Sequence, residues 1–279
     1  MESIHQIETL YSFVAAFHKN PRISVRELHK NFSHYRNRRS TTKLLREAFD
    51  KKMIIGPRIW CNSGIDVKIL KNIDDPLVLL QEYQNDESIT YMTALLGDFS
   101  FFYLKKGASI LQYAETICPS YPPKRRIKEI NLKRKGKLVS DKYPMGWDDL
   151  DWGVFETMRD PFYSYVKAGN NLGVSWHTVK NRFEKIFNDC KTWILMLPKG
   201  YEYYQQCYAI FKTEYEIDLR NQLQELDRTS IIYKFEDKIL LHTFLDETLD
   251  NLIFYELKRK GLISDLCLAV PLGWHSKYW

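Results

Sequence analysis

Ser175, Trp176, His177, Thr178, Lys180, Asn181 and Lys185 crowd into eleven consecutive positions and combine the groups that recognise duplex nucleic acid. Lysine supplies charge for phosphates. Amide, imidazole and hydroxyl groups supply directional hydrogen bonds for base edges. Val179, Phe183 and Ile186 recur between them at helical spacing. A helix begun at Ser175 therefore turns the apolar set inward and the polar set outward. Such a helix fits the major groove. It also fits ordinary helix packing, so the surrounding elements carry the decision. Trp176 either lies open on this face or packs back on a neighbouring hairpin.

Residues 151–190 supply those elements. An apolar helix is predicted over residues 152–158, and Asp160-Pro161 breaks it. A second helix follows over 163–172, with Val166 and Leu172 inward. Gly173 can take the left-handed conformation that ends a helix. Ser175 is a good N-cap for a third helix that runs to about residue 189. This is a helix-turn-helix.

The N-terminus follows a similar plan. Ile7, Leu10, Tyr11, Val14 and Phe17 share one face of a helix over 5–17, and Ser24 with Glu27 makes a capping box for the next. A third helix over 38–52 turns Leu44, Leu45, Ala48 and Phe49 inward. Arg38, Arg39, Thr41, Lys43 and Arg46 face outward, the first four as candidate DNA contacts. Its turn lacks the Gly-Val-Ser chemistry. Residues 54–65 are predicted as a hairpin, hence a wing that sets Arg58 over a phosphate backbone. Residues 193–201 read as a second wing.

After each wing the period changes. Strands are predicted over 67–70, 88–96, 99–104 and 125–132, with helices over 76–84 and 107–117. The order returns as strands over 203–213, 229–235, 239–245 and 262–270, with helices over 218–226 and 248–260. The expected fold class is α+β: two winged helix-turn-helix units, each followed by a ferredoxin-like βαββαβ sandwich. The expected boundaries are 1–64, 65–132, a basic linker over 133–147, 148–200 and 201–279. Lys133, Arg134, Lys135 and Lys137 make that linker either a solvated connector or a phosphate-holding strap.

Composition narrows the class. The chain has 279 residues, 44% hydrophobic and 27% charged, with a net charge of +6. That excludes a disordered tail and permits a nucleic-acid partner without demanding one. Five widely spaced cysteines without a CxxC pair read as free thiols in a reducing cytoplasm. The start MESIHQIETL does not read as a leader peptide, so none is expected, and no apolar run reaches a membrane span. The seven histidines show no metal-binding spacing, and His242 reads as a core histidine. Tyr201, Tyr203, Tyr204 and Tyr208 read as sheet packing. No phosphate-binding loop, nucleophile elbow or paired carboxylates stand out. The expectation is therefore no catalytic residue, no metal, no cofactor and no enzyme.

The segment SYVKAGNNLGVSWHTVKNRFEKI, from Ser164, and GDFSFFYLKKG, from Gly97, resemble the Lrp/AsnC family of transcription regulators. With both halves counted the resemblance spans nearly the whole chain, as in the archaeal tandem form. It implies a cytoplasmic DNA-binding regulator that pairs as a homodimer or as an internal pseudo-dimer. It also implies a small-molecule effector, such as an amino acid, at Gly97, Asp98 and Phe99. The second half has Glu236-Asp237 where that glycine would stand.

Siroheme decarboxylases, an enzymatic branch, share the fold and carry a His/Arg segment near the middle strands. Here those strands read SITYMTALLGDF and TSIIYKFEDKIL. They offer Tyr91, Tyr233 and Lys234 without a His-x-x-x-Arg arrangement. A ligand-sensing or architectural protein whose first helix-turn-helix serves only for pairing is a further alternative.

Overall fold

The computed structural model describes residues 4–107 and 110–277. In chain order its elements begin with α1 (Ile4–Lys19), α2 (Val25–Phe32), α3 (Arg38–Asp50), β1 (Ile54–Trp60), β2 (Ile65–Leu70), α4 (Pro76–Tyr83), β3 (Ile89–Gly97), β4 (Phe101–Lys106) and β5 (Leu111–Ile117). They continue with α5 (Asp149–Thr157), α6 (Tyr165–Leu172), α7 (Trp176–Phe187), β6 (Lys191–Met196), β7 (Gln205–Thr213), α8 (Glu216–Gln224), β8 (Ser230–Phe235), β9 (Lys238–Leu245), α9 (Leu252–Arg259) and β10 (Ile263–Ser276). The chain divides into two compact units. One comprises Met1–Cys61, Cys118–Pro122 and Lys142–Glu202; the other comprises Asn62–Ile117, Pro123–Asp141 and Tyr203–Trp279. No helix of the described residues is long and apolar enough to cross a membrane.

The first unit is helical and contains two three-helix heads. Local capping fixes where their helices start. Ser24 Oγ accepts the Glu27 N–H while the Glu27 carboxylate accepts the Ser24 N–H, which opens α2. Asn37 caps α3 and Ser175 caps α7. Leu10, Phe13, Phe17, Leu28, Leu44 and Leu45 form the core of the first head. Val154, Phe155, Met158, Val179, Phe183 and Ile186 form that of the second. Val166, expected inward, is 55% exposed, and Ala168 faces the core of α6 instead.

The expected wings do not form hairpins. β1 pairs antiparallel with β6, Ile54 opposite Met196 and Trp60 opposite Lys191. Gly56 lies at φ +102°, where a Cβ would come within 2.7 Å of Trp193 O, so the bulge between Ile55 and Arg58 needs glycine. Each short strand thus satisfies its backbone on the other head rather than on itself.

The second unit is built on one antiparallel sheet of order β2-β4-β3-β10-β7-β9-β8-β5. Cys207, Ala209, Phe211, Ile232 and Leu241 of the sheet pack with Leu219 and Leu223 of α8 and with Phe254 and Leu257 of α9. Treated as a ring, the strand order repeats when the halves are exchanged, with β10–β7 answering β5–β2. Among the described residues only β10–β7 carries a ladder. Length explains this. The 14 residues of β10 run from β7 on to β3, with Ala269 opposite both Tyr208 and Gly97, whereas β5 has 7 and pairs with β8.

Two expected elements change type. Residues 111–117, expected within a helix, form β5; Ala108 and Ser109 of that stretch lie outside the described residues. Tyr113, Thr116 and Ile117 favour a strand, and a ladder partner in β8 settles it. Residues 125–132, expected as a strand, hold a 3-10 turn at Ile127–Glu129 and then extended chain.

That extended chain continues into the basic stretch and lies along α8. Asp218 Oδ2 accepts the N–H groups of Lys133 (2.7 Å) and Arg134 (3.3 Å), and Glu216 Oε2 accepts that of Leu138 (2.7 Å). Gln222 exchanges two 2.8 Å bonds with the Asn131 backbone. Ile130, Leu132 and Leu138 are buried. Residues 133–138 are thus neither a free connector nor a strap open to phosphates along their backbone.

Candidate nucleic-acid interface

The α6–α7 turn is held by close backbone approach. Gly173 takes φ +67°, and a Cβ at Gly169 would come within 2.6 Å of Val174 O. Ser175 Oγ accepts the Thr178 N–H at 3.1 Å and lies 2.9 Å from Thr178 Oγ1. Ser175 and Thr178 therefore fasten the start of the helix. Trp176 and His177 are both exposed and stack with ring centroids 3.5 Å apart. Lys180 and Asn181 are exposed beside them, with Lys180 Nζ 3.8 Å from the Glu184 carboxylate.

The other cations of α7 are engaged within the head. Asp151 is fully buried, and its carboxylate takes Arg182 at 3.0 Å and Lys185 at 2.5 Å. Arg182 also reaches Asp148 at 2.7 Å, and these hydrogen bonds hold its guanidinium above the ordinary range. Lys185, expected as a DNA contact, instead pairs with Asp151, because a buried carboxylate needs a cation more than a solvated phosphate contact does.

The first head shows the opposite arrangement. Arg36, Arg38, Arg39 and Arg46 are exposed, and none of their side chains pairs with a described residue. Lys43 sits 3.7 Å from Glu47. Thr41, expected outward, is fully buried, its Oγ1 lying 2.9 Å from His29 Nδ1 and 2.8 Å from Ser33 Oγ. Thr41 holds α2 to α3 and is withdrawn as a contact. Arg58, expected on a wing, lies on β1 and pairs with Asp160 at 3.3 Å. Residues 1–61 hold twelve Lys/Arg against five Asp/Glu, whereas residues 142–202 hold eight of each. The positive field belongs to the first head.

Arg22, which no sequence pattern singles out, joins the two heads. Its guanidinium lies 3.9 Å from the Tyr165 ring centroid and donates to Pro161 O and, at 3.0 Å, to Tyr163 O. Burial draws its pKa downward, which the nearby Tyr165 and Asp160 oppose. Phe17 meets Phe162 edge-on at 5.9 Å.

In the sheet unit, the residues expected to bind an effector serve the turn between β3 and β4. Gly97, at φ +148°, leaves no room for a Cβ, which would stand 2.3 Å from Leu268 O. Asp98 clasps the same residue: its N–H donates to Leu268 O and its carboxylate accepts the Leu268 N–H, both at 2.8 Å. Phe99 is 1% exposed. The backbone of Leu268 in β10 is thus satisfied by Asp98.

A polar centre lies elsewhere in this unit. The His242 ring stacks on Tyr208 at 4.1 Å, and its Nε2–H donates to Gln206 Oε1 at 3.0 Å. Tyr208 OH meets Tyr91 OH at 2.7 Å. Burial pushes the His242 pKa down to about 3, so the ring is neutral and satisfied.

No family model matches the chain, and no curated protein is detectably similar to it. Among solved structures, the chain is similar to that of the siroheme decarboxylase NirDL, with a TM-score of 0.50 at 11% identity, over 96% of this chain and 91% of that one. The same protein in complex with an iron-uroporphyrin III analogue aligns with a TM-score of 0.48 at 10% identity, over 95% and 92%. The likeness concerns the fold alone. The expectation that this chain is not an enzyme is corrected: the solved structure that it resembles over almost its whole length is that of an enzyme.

Proposed function

We propose that the helical unit binds double-stranded DNA and that the chain acts as an Lrp/AsnC-type regulator with two unequal helix-turn-helix heads. The four arginines on and before α3 that pair with no described residue carry this reading. α3, with Arg36 just before it, holds phosphates through Arg36, Arg38, Arg39 and Arg46. α7 presents His177, Asn181 and Lys180 to base edges, while Ser175 and Thr178 set its first turn. Phosphate contacts supply affinity and base contacts supply sequence preference. The sandwich halves and the five-part division of the chain belong to the same reading, as does pairing of halves within one chain.

The test is selection from random duplex DNA, followed by salt-titrated binding to any enriched site. Enrichment, with a log–log salt slope that falls when the α3 arginines are removed, supports the reading. Binding without a salt slope overturns it.

A second reading rests on the likeness to the decarboxylase. In it the sheet unit holds a tetrapyrrole, with the Tyr91, Tyr208 and His242 centre as its nearest polar groups. Titration with iron-uroporphyrin checks it: a saturable shift of the porphyrin absorbance supports it, and an unchanged spectrum removes it.

A further inference from the structure

The β1–β6 ladder sets two cysteines opposite each other. Ile59 faces Thr192 and Trp60 faces Lys191, so the next rung is Cys61 opposite Cys190. The Ile59 N–H points away from β6, to Arg159 O at 3.0 Å, which makes Ile59–Thr192 a rung without backbone hydrogen bonds. Rungs alternate along an antiparallel pair, so Cys61–Cys190 is again such a rung. The Cys190 N–H agrees, since it donates to Phe187 O at 3.1 Å. Rungs of this kind bring Cα atoms to about 4.5 Å, the near end of the span that a disulfide bridges.

The side chains bear this out. The neighbouring Cys190 side chain, with burial second, holds the Cys61 thiol well above the ordinary thiol range. Cys61 is 1% exposed within the second head's core, and Cys190 packs half-buried against that core just after α7. The sequence alone hides the pair, because 128 residues separate its members.

We propose that Cys61 and Cys190 are a peroxide-responsive dithiol whose disulfide ties the end of α7 to the strand of the first head. Cys190, the less buried of the two, gives up its thiol proton and its sulfur attacks hydrogen peroxide; the O–O bond breaks, Cys190 becomes a sulfenic acid, and the hydroxide that leaves takes up that proton. The Cys61 sulfur then attacks the Cys190 sulfur; the S–S bond forms, the S–O bond breaks, and water leaves with the Cys61 proton. Two thiols and one peroxide give one disulfide and two waters. A small dithiol reverses the step. The inference stands apart from the reading as a DNA-binding protein, since it needs only the two strands.

The experiment uses the full reduced chain treated with hydrogen peroxide, alkylated, digested without reductant and mapped by mass spectrometry. The expected result is a Cys61–Cys190 cross-linked peptide, loss of two of the five thiols, and recovery of both with dithiothreitol. The Cys118→Ser/Cys207→Ser/Cys267→Ser variant behaves in the same way, and Cys190→Ser forms no intramolecular cross-link. Cys190 ending as a sulfinic acid with Cys61 still titratable overturns the proposal, as does a different dominant pairing. The wild-type map decides even where a substituted chain fails to fold.

Discussion

The two heads share three helices, a capped third helix and one strand, yet their charges do opposite things. The second head has the better turn, with Gly173 and Ser175 in the conformations its pattern demands. Its Arg182 and Lys185 nonetheless converge on buried Asp151. The first head has the poorer turn and keeps Arg36, Arg38 and Arg39 unpaired among the described residues. Motif quality and available charge are thus separate properties. A turn is a matter of backbone geometry, whereas a cation is free only if no carboxylate folds against it.

The largest effect that would sharpen this contrast is on stability. Asp151→Ala strands two cations around a buried site and should cost about 3 kcal/mol in urea unfolding. An effect below about 1 kcal/mol would show that Asp151 does not organise the second head. On the binding side, replacing Arg36, Arg38 and Arg39 together with alanine should weaken binding to random duplex DNA by roughly 100-fold at low salt and lower the salt slope by about 3. His177→Ala/Lys180→Ala/Asn181→Ala should change that affinity by less than about threefold while altering any selected sequence. Equal losses from the two sets would break the contrast.

Acid tests the sheet unit against the heads. His242 titrates near 3 when folded and at 6.5 when free. The unfolded chain therefore takes the proton first. Stability is full above about pH 6.5 and falls by about 1.4 kcal/mol per pH unit as pH drops toward 3. Unfolding midpoints measured at successive pH values should flatten in His242→Phe. The smallest effect compares the caps. Asn37→Ala and Ser175→Ala should each cost about 1 kcal/mol by denaturant unfolding, because a side chain caps the third helix in both heads.

Much of the fold was legible in sequence where a rule spans a few residues. Periodicity located all three helices of each head, and Asp75 before Pro76 marked the start of α4. The site was legible in part. His177, Lys180 and Asn181 are exposed as their spacing implies. Thr41 was misplaced because its hydroxyl could satisfy His29 and Ser33, a choice made between helices. Gly97 and Asp98 were expected at an effector site, but Asp98 gives its hydrogen bonds to Leu268, 170 residues away.

By itself, then, the sequence determined the helix starts and stops, the apolar faces and the strand-rich halves. The physical reason is reach: caps, left-handed glycines and i,i+4 contacts act within one or two turns. Only the tertiary structure decided that β1 would pair with β6, that residues 111–117 would extend as β5, and which cations would remain free. Strand edges and buried carboxylates must be satisfied by whatever distant segment folding brings to them, and no local pattern names that partner.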